Sequence, residues 1–347
     1  MRPAWDDDPA VASWAGLPKL DAAVTADACV VGLGGSGLAA IDALSSRGLE
    51  VVGVEAGRVA AGAAGRNGGL LLGGPATFLH SAIDVWGAVA VDLYRDTLRE
   101  LDRQAAVLGP DVIRRSGSVR LAGLPGAPDD ADLADCRALA QALHANDIAV
   151  EDYDDELGQG IFLPDDAVMN PARRALALAS TARSTSRMFE NSAVSSIESG
   201  AVTTEFGSVS APIVIVAVDG KLEHLLPALR GRVRTARLQM LATAPGLPPR
   251  LPCPVYGRWG YDYAQQGSDG RMYVGGGRDV STEAEWTLSD EPTPEVQKHI
   301  ESVAASMAGR PVGVTSRWAA SVGFTEDGKP LCTEVEDGVV AIGGYNA

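Results

Sequence analysis

Three glycines and one acid carry the clearest chemistry in this chain. Gly32, Gly34 and Gly37 form G-x-G-x-x-G within Gly32-Leu-Gly-Gly-Ser-Gly37, and Glu55 follows 18 residues after the last of them. Glycines at that spacing permit a sharp turn and let the backbone approach a pyrophosphate, which accepts hydrogen bonds from amides at a helix N-terminus. An acid at that distance takes the two ribose hydroxyls of an adenosine. The motif alone is weak here, because 40 of 347 residues are glycine, against a usual ~7%. Its neighbours decide. Residues 28–31 are a short apolar run, suited to a buried parallel strand. Leu38, Ile41 and Leu44 follow at helical spacing, Gly48 caps the helix, and the second strand at 51–54 ends on Glu55. Strand, glycine turn, helix, strand and acid together predict a dinucleotide site.

The motif leaves NAD and FAD open. The stretch Ala60-Ala-Gly-Ala-Ala-Gly-Arg-Asn-Gly-Gly69 is too polar and glycine-rich for the next helix of such a unit, and Leu70-Leu-Leu72 returns the chain to the core. A loop of bare amides would run along a long cofactor.

The elements that must hold this site lie far apart in the chain. Asn170-Pro171 opens a helix through 182, with Pro171 suited to the first helical position. Short strands are expected at 193–197 and 201–206 around the turn Glu198-Ser-Gly200, a buried strand at 212–218 and a last one at 339–342. Between these lie two stretches of different texture. One has a helix around 82–108, a strand at 118–121 and an acidic helix at 129–146. The other has a strand at 237–243, the aromatic Tyr256-Gly-Arg-Trp-Gly-Tyr-Asp-Tyr263, and Arg271-Met-Tyr-Val-Gly-Gly-Gly-Arg278, the last two joined by a hairpin turn at Ser268-Asp-Gly270. The pattern predicts an α/β, Rossmann-like nucleotide domain in three pieces (1–75, 165–229 and 323–347). A second, α+β domain is inserted as 76–164 and 230–322.

Composition removes other classes. A net charge of −16 repels nucleic-acid phosphates. Cys29, Cys136, Cys253 and Cys332 form no C-x-x-C, and His80, His144, His224 and His299 are isolated. That pattern suggests reduced thiols and no metal site. The start Met1-Arg-Pro-Ala-Trp-Asp-Asp-Asp8 lacks the basic and apolar blocks of a signal peptide, and no stretch reaches 18 apolar residues. The expectation is a cytoplasmic protein that does not enter a membrane.

Several of these segments carry a resemblance. Leu17-Pro-Lys-Leu20, the glycine motif, Glu55-Ala56 and Gly65-Arg-Asn-Gly-Gly69 resemble the D-amino-acid-oxidase-type (DAO) family of FAD-dependent amine oxidoreductases, nearest its gamma-glutamylputrescine-oxidase-like members. The likeness continues in Met169-Asn-Pro171, Ala217-Val-Asp-Gly220, Leu225-Leu-Pro227, Asp269-Gly-Arg-Met-Tyr-Val-Gly-Gly276, Thr325-Glu-Asp-Gly-Lys-Pro-Leu331 and Gly343-Gly-Tyr-Asn346. It departs at Ala64, where those members have serine.

The resemblance implies a Rossmann-like FAD-binding domain with an inserted mixed-sheet substrate domain, and non-covalent FAD between them. Gly32, Gly34, Gly35, Ser36 and Gly37 would hold the pyrophosphate, and Glu55 with Ala56 the ribose. Arg66, Asn67, Gly68 and Gly69 would pass beside the flavin. Val194 would meet the adenine side, and Ala217, Gly344, Tyr345 and Asn346 complete the cofactor set. The implied reaction is oxidation of the C–N bond of a small-molecule amine or amino-acid-derived amine, with O2 as one acceptor.

Val322 stands where many amino-acid-oxidising members place an arginine, and Tyr273 where sarcosine-oxidase-like members place a lysine that promotes reaction with oxygen. No cysteine stands where covalent members attach flavin, and Cys332 is expected to be structural. Family members continue past the terminal glycine motif into a helix, whereas this sequence stops at Ala347; that leaves open a truncated reading frame with reduced or lost FAD affinity, or a partner that covers the gap.

Three alternatives stay open. They are an amino acid oxidase or dehydrogenase using another carboxylate-binding arginine, a non-catalytic flavoprotein fold, and an NAD-dependent dehydrogenase.

For the substrate side, Tyr256, Trp259, Tyr261, Tyr263 and Tyr273 are candidates to wall a pocket and attract a cationic amine. Equally, aromatics in a hairpin pack across strands. Arg237 with Gln239, Arg258 and Arg278 are the candidates to hold an acidic group.

Overall fold

Apolar runs too short for helices become the centre of a sheet covered on both faces. The computed structural model describes residues 2–346. In it, Ala28–Val31 and Val51–Val54 are buried at all four positions. They sit in a six-stranded sheet ordered Arg187–Phe189, Val51–Val54, Ala28–Val31, Ile213–Val216, Val339–Gly343, Leu331–Glu336. The first five strands are parallel and the last is antiparallel. Helices Gly35–Ser45 and Pro171–Ala182 cover one face through Leu38, Ile41, Ala175 and Ala179, packed on Val30 and Val51. On the other face Cys29, Val31, Val52 and Val214 meet Val202 and Val209 of a four-stranded sheet.

The second domain is built on an eight-stranded sheet. Its order is Val314–Thr325, Val233–Thr243, Met272–Gly276, Asp262–Gln266, Val255–Gly257, Ser118–Leu121, Gly158–Leu163, Glu151–Asp155. Helix Pro294–Ala308 covers one face, burying Val296, Ile300, Val303 and Met307 against Leu241 and Val274. Met240, Ala242 and Trp318 point the other way, into the core around Trp5 and Leu33. That second face is where the two domains meet.

Several elements differ from expectation. The helix expected over 82–108 is two, Leu79–Trp86 and Val89–Leu108, parted at Gly87, whose φ of 64° ends the first. One turn of helix, Ala63–Arg66, interrupts the loop after Glu55. A third strand, Ser208–Ser210, extends the pair expected at 193–197 and 201–206, observed as Val194–Glu198 and Ala201–Thr204. Strand Val314–Thr325, which the sequence analysis did not anticipate, pairs along nearly all of Val233–Thr243. Cys29, Cys136 and Cys253 are buried, but Cys332 is exposed. Among the described residues no helix is long and apolar enough to cross a membrane.

Candidate functional site

Helix Gly35–Ser45 begins at the carboxyl end of Ala28–Val31, and its N-cap Gly34 supplies no side-chain acceptor. The first amides of a helix have no partner within it, so this end presents bare donors and the positive end of the helix dipole. Gly37 is required for the close approach, because a Cβ there would stand 1.8 Å from the Gly32 carbonyl oxygen. Gly32 itself has φ 95° and faces the Ala217 carbonyl, 2.7 Å from where its own Cβ would be. Glu55 is already oriented. Its Oε2 accepts from the Leu33 amide at 2.9 Å and its Oε1 from Gly57 at 3.1 Å. Each oxygen keeps lone-pair capacity for a ribose hydroxyl. Ala56 beside it is exposed, and Val194 opens the strand Val194–Glu198, packed on the core with Val31 and Val54.

The Arg66–Gly69 loop is clamped by side chains from the other domain and from the N-terminal arm. Trp318 Nε1 donates to the Arg66 carbonyl at 2.8 Å, Trp5 Nε1 to Asn67 at 3.0 Å and Gln265 Nε2 to Gly68 at 2.6 Å. Asn67 closes the turn from inside, its Oδ1 accepting from Gly69 at 2.9 Å. A Cβ on Gly68 would meet the Tyr263 ring at 2.6 Å. Trp5, 2% exposed, stacks on Tyr273 with ring centroids 3.6 Å apart. Burial, then the nearby Asp269, pushes the Tyr273 hydroxyl up to about 12. It therefore stays neutral and is no base at ordinary pH.

Trp5 was missed at the sequence level. It lies 62 residues from its partner Asn67, and its only local signal is an apolar ring beside three aspartates. Asp219 was likewise given no role. Its carboxylate gathers the amides of Gly323 at 3.1 Å, Gly344 at 2.8 Å and Tyr345 at 3.3 Å, tying three segments together. Burial raises its pKa, against the pull of those amides. Asn346 Oδ1 accepts from Thr325 N at 2.8 Å, and the Tyr345 hydroxyl bonds to that of Ser36 across the helix N-terminus. Gly344, Tyr345 and Asn346 thus lie beside the glycine turn.

The substrate-side candidates do not gather. Tyr256 and Tyr263 are directly opposed across strands, so this pair is packing. Burial raises both hydroxyl pKa values. Trp259 and Tyr261, on a backbone with positive φ at Arg258, Trp259 and Gly260, are each 41% exposed. Arg237 is directed away from any substrate, since a buried carboxylate takes it. Its Nε and Nη2 contact Glu285 at 3.0 and 2.7 Å, and its Nη1 donates to the Glu291 carbonyl at 2.8 Å. Gln239 donates to the same carboxylate and to Thr293. Arg258 pairs with Asp262 at 2.5 Å and with Asp279, and touches His299 at 3.0 Å. Val322 is buried opposite Ala236.

The residues present fit a bound dinucleotide. An uncapped helix end suits a pyrophosphate, an oriented acid suits a ribose, and a glycine backbone at 68–69, too closely packed to admit a Cβ, suits close approach to a flat ring system. Comparison with known proteins agrees. The family described as FAD dependent oxidoreductase (DAO) matches residues 27–347. A probable oxidoreductase OrdL of Rhizobium meliloti (strain 1021) is 26% identical over 359 residues, covering 95% of this chain and 81% of that protein. The gamma-glutamylputrescine oxidoreductase of Escherichia coli (strain K12) is 29% identical over 294 residues, covering 76% and 67%. Among solved structures, glycine oxidase from Geobacillus kaustophilus aligns with a TM-score of 0.72 at 19% identity, over 93% of this chain and 90% of that one. L-proline dehydrogenase from P. horikoshii aligns at 0.71 and 16% identity, over 95% and 89%. At such identities these two likenesses speak to the fold. This chain belongs to the DAO family of FAD-dependent oxidoreductases, and FAD is its cofactor.

Proposed function

We propose that the protein oxidises the C–N bond of an amine or amino-acid-derived amine, as an oxidase that returns electrons to O2. The observation that carries this reading is the clamp on Arg66–Gly69, which holds a glycine backbone against the half-buried Tyr263 ring. When bound there, FAD supplies the electron sink that accepts a hydride from the carbon next to nitrogen. The resulting imine is hydrolysed by water to a carbonyl and an amine.

The chain's own part is orientation, exclusion of water and preference for the uncharged amine. No side chain needs to act as a base. Gly34, Gly35 and Ser36 would hold the pyrophosphate, Glu55 and Ala56 the ribose, and Val194 the adenine side. Ala217, Gly344, Tyr345 and Asn346 would hold the pyrimidine end of the flavin, without a covalent bond. An amino acid oxidase or dehydrogenase is the second reading, favoured by Arg278, whose Nη1 is buried with no hydrogen-bond partner.

The test is an absorbance spectrum of the purified protein, with the cofactor released by heat and identified. A panel of amines is then screened for loss of flavin absorbance without air and for oxygen uptake with air. Bleaching with oxygen uptake is expected. Bleaching without uptake would mark a dehydrogenase, and no bleaching by any amine would sink the proposal.

A further inference from the structure

The N-terminal arm holds two single helical turns, Ala4–Asp7 and Pro9–Ala12. Turns this short do not persist unaided, and side chains of both domains hold them. From the nucleotide-binding domain, Asn170 Nδ2 donates to the Trp5 carbonyl at 3.1 Å and Arg58 Nη2 to that of Val11 at 2.6 Å. Arg173 pairs with Asp8 at 3.6 Å. From around the eight-stranded sheet, Arg271 pairs with Asp7 at 2.9 Å, and Ser316 Oγ donates to the Arg2 carbonyl at 2.6 Å. The arm is therefore fully docked only when the two domains are together.

Trp5 joins them through one side chain. Its ring stacks on Tyr273 of the eight-stranded sheet and meets Trp318 edge-on at 6.4 Å, while its Nε1 donates to the Asn67 carbonyl in the nucleotide-binding domain. The loop and the arm also share an anchor. Met169, just before Asn170, donates its amide to the Gly69 carbonyl at 2.9 Å and accepts at its own carbonyl from Gln265. A segment ending in Gly68-Gly69 has much backbone freedom to lose. Fixing it before the cofactor arrives removes an ordering cost from binding.

We propose that Trp5 is a positioning residue for the cofactor: the docked arm preorganises Arg66–Gly69, so arm docking and FAD binding favour each other. This rests on the reading that the loop runs beside the flavin, and not on the amine-oxidising reaction. Such coupling is reciprocal, so FAD must tighten the arm by the factor by which the arm tightens FAD.

Two measurements test it: flavin-fluorescence titration of the apoprotein with FAD, and hydrogen exchange of the Ala12 and Ser13 amides, which bond to the Asp8 and Pro9 carbonyls, with and without FAD. Trp5→Ala should weaken FAD binding about fiftyfold, within the usual range for coupled sites. Trp5→Phe keeps a ring on Tyr273 and loses the donor, so about fivefold is expected. In the parent, saturating FAD should slow exchange of both amides by about the Trp5→Ala factor, and in Trp5→Ala that slowing should vanish. Ile300→Val, buried under the opposite sheet face, should lower the melting temperature and leave FAD affinity unchanged. Unchanged FAD affinity in a folded Trp5→Ala protein overturns the proposal, as does an equal loss in Ile300→Val. Arm exchange in the parent that ignores FAD overturns it whether or not any variant folds. Trp318→Phe releases the Arg66 carbonyl. If it weakens FAD binding while the Trp5 variants do not, the loop stays beside the flavin and the arm's role falls. If neither does, both fall. The amine-oxidising reading is untouched by any of these results.

Discussion

The two domains bury their carboxylates in different ways. In the nucleotide-binding domain, Glu190 is 2% exposed and meets no arginine. It takes the amides of Leu17 at 2.9 Å and Val59 at 2.6 Å, and the indole of Trp14 at 3.0 Å. Asp219 likewise takes only backbone amides. Around the eight-stranded sheet, Asp132 meets Arg120, Glu285 meets Arg237 and Asp262 meets Arg258. An acid that gathers amides fixes where distant loops cross, which is what a cofactor cradle needs. An acid paired with a guanidinium fixes side chains against each other and removes both from the pool available to substrate. Arg278 stands out because it was left out of this second arrangement.

If that contrast is right, breaking a guanidinium pair should do the most damage. Glu285→Gln leaves Arg237 buried with its charge uncompensated, so a loss of about 3–5 kcal/mol is expected in urea unfolding. Replacing both partners by leucine should cost less; an equal or larger loss would mean that the pair is a net stabiliser. Glu190→Ala should cost about 3 kcal/mol by orphaning three donors. A loss larger than that of Glu285→Gln would reverse the ranking.

Asp166 sharpens the comparison from a third side. It accepts from Ser118 at 2.6 Å and from the Gly73 amide at 2.7 Å with no arginine in contact. Burial raises its pKa from 3.8 to about 6. The folded state thus holds the proton more tightly than the unfolded chain does. Its favourable contribution is fully present below about pH 4 and is lost as pH rises through about 6, a swing on the order of 3 kcal/mol. Asp166→Asn should remove that swing, so its stability relative to the parent should climb between pH 4 and 7. A constant gap across that range would refute the raised pKa. A last variant, Gly37→Ala, tests the glycine turn itself. Its Cβ would stand 1.8 Å from the Gly32 carbonyl oxygen, so the backbone must shift to admit it. Released FAD, not unfolding, is its expected signature, read by flavin fluorescence.

Local chemistry made much of the fold legible. Asn170-Pro171 marked the helix Pro171–Ala182 because a cap and a fixed φ act within one turn, and the Asn170 side chain does accept from Arg173 N at 3.1 Å. The turn at Ser268-Asp-Gly270 marked the hairpin of Asp262–Gln266 and Met272–Gly276 for the same reason. Strand Val314–Thr325 gave no comparable signal. Its Val-Thr-Ser-Arg-Trp-Ala-Ala-Ser run has no clean alternation, and its pairing with Val233–Thr243 closes a loop of some 70 residues. The aromatic hairpin was legible as aromatic but not as to which ring faced where, because that depends on the sheet's register.

By itself the sequence determined the unit on which the proposed cofactor site rests. A glycine turn, a helix end and an acid 18 residues on are one continuous βαβ unit, whose geometry is set by backbone sterics that any solvent would enforce. Only the tertiary structure decided which arginine was free. Arg237, Arg258 and Arg278 are the same residue type in the same domain; Arg258 has a local partner in Asp262, four residues on, but Asp279 beside Arg278 pairs with Arg258 instead, which the sequence around them does not show. The difference lies in whether a long-range contact brings a carboxylate to the guanidinium. Arg237 meets Glu285, 48 residues on, whereas Phe324 and Trp286 bring Arg278 only two rings.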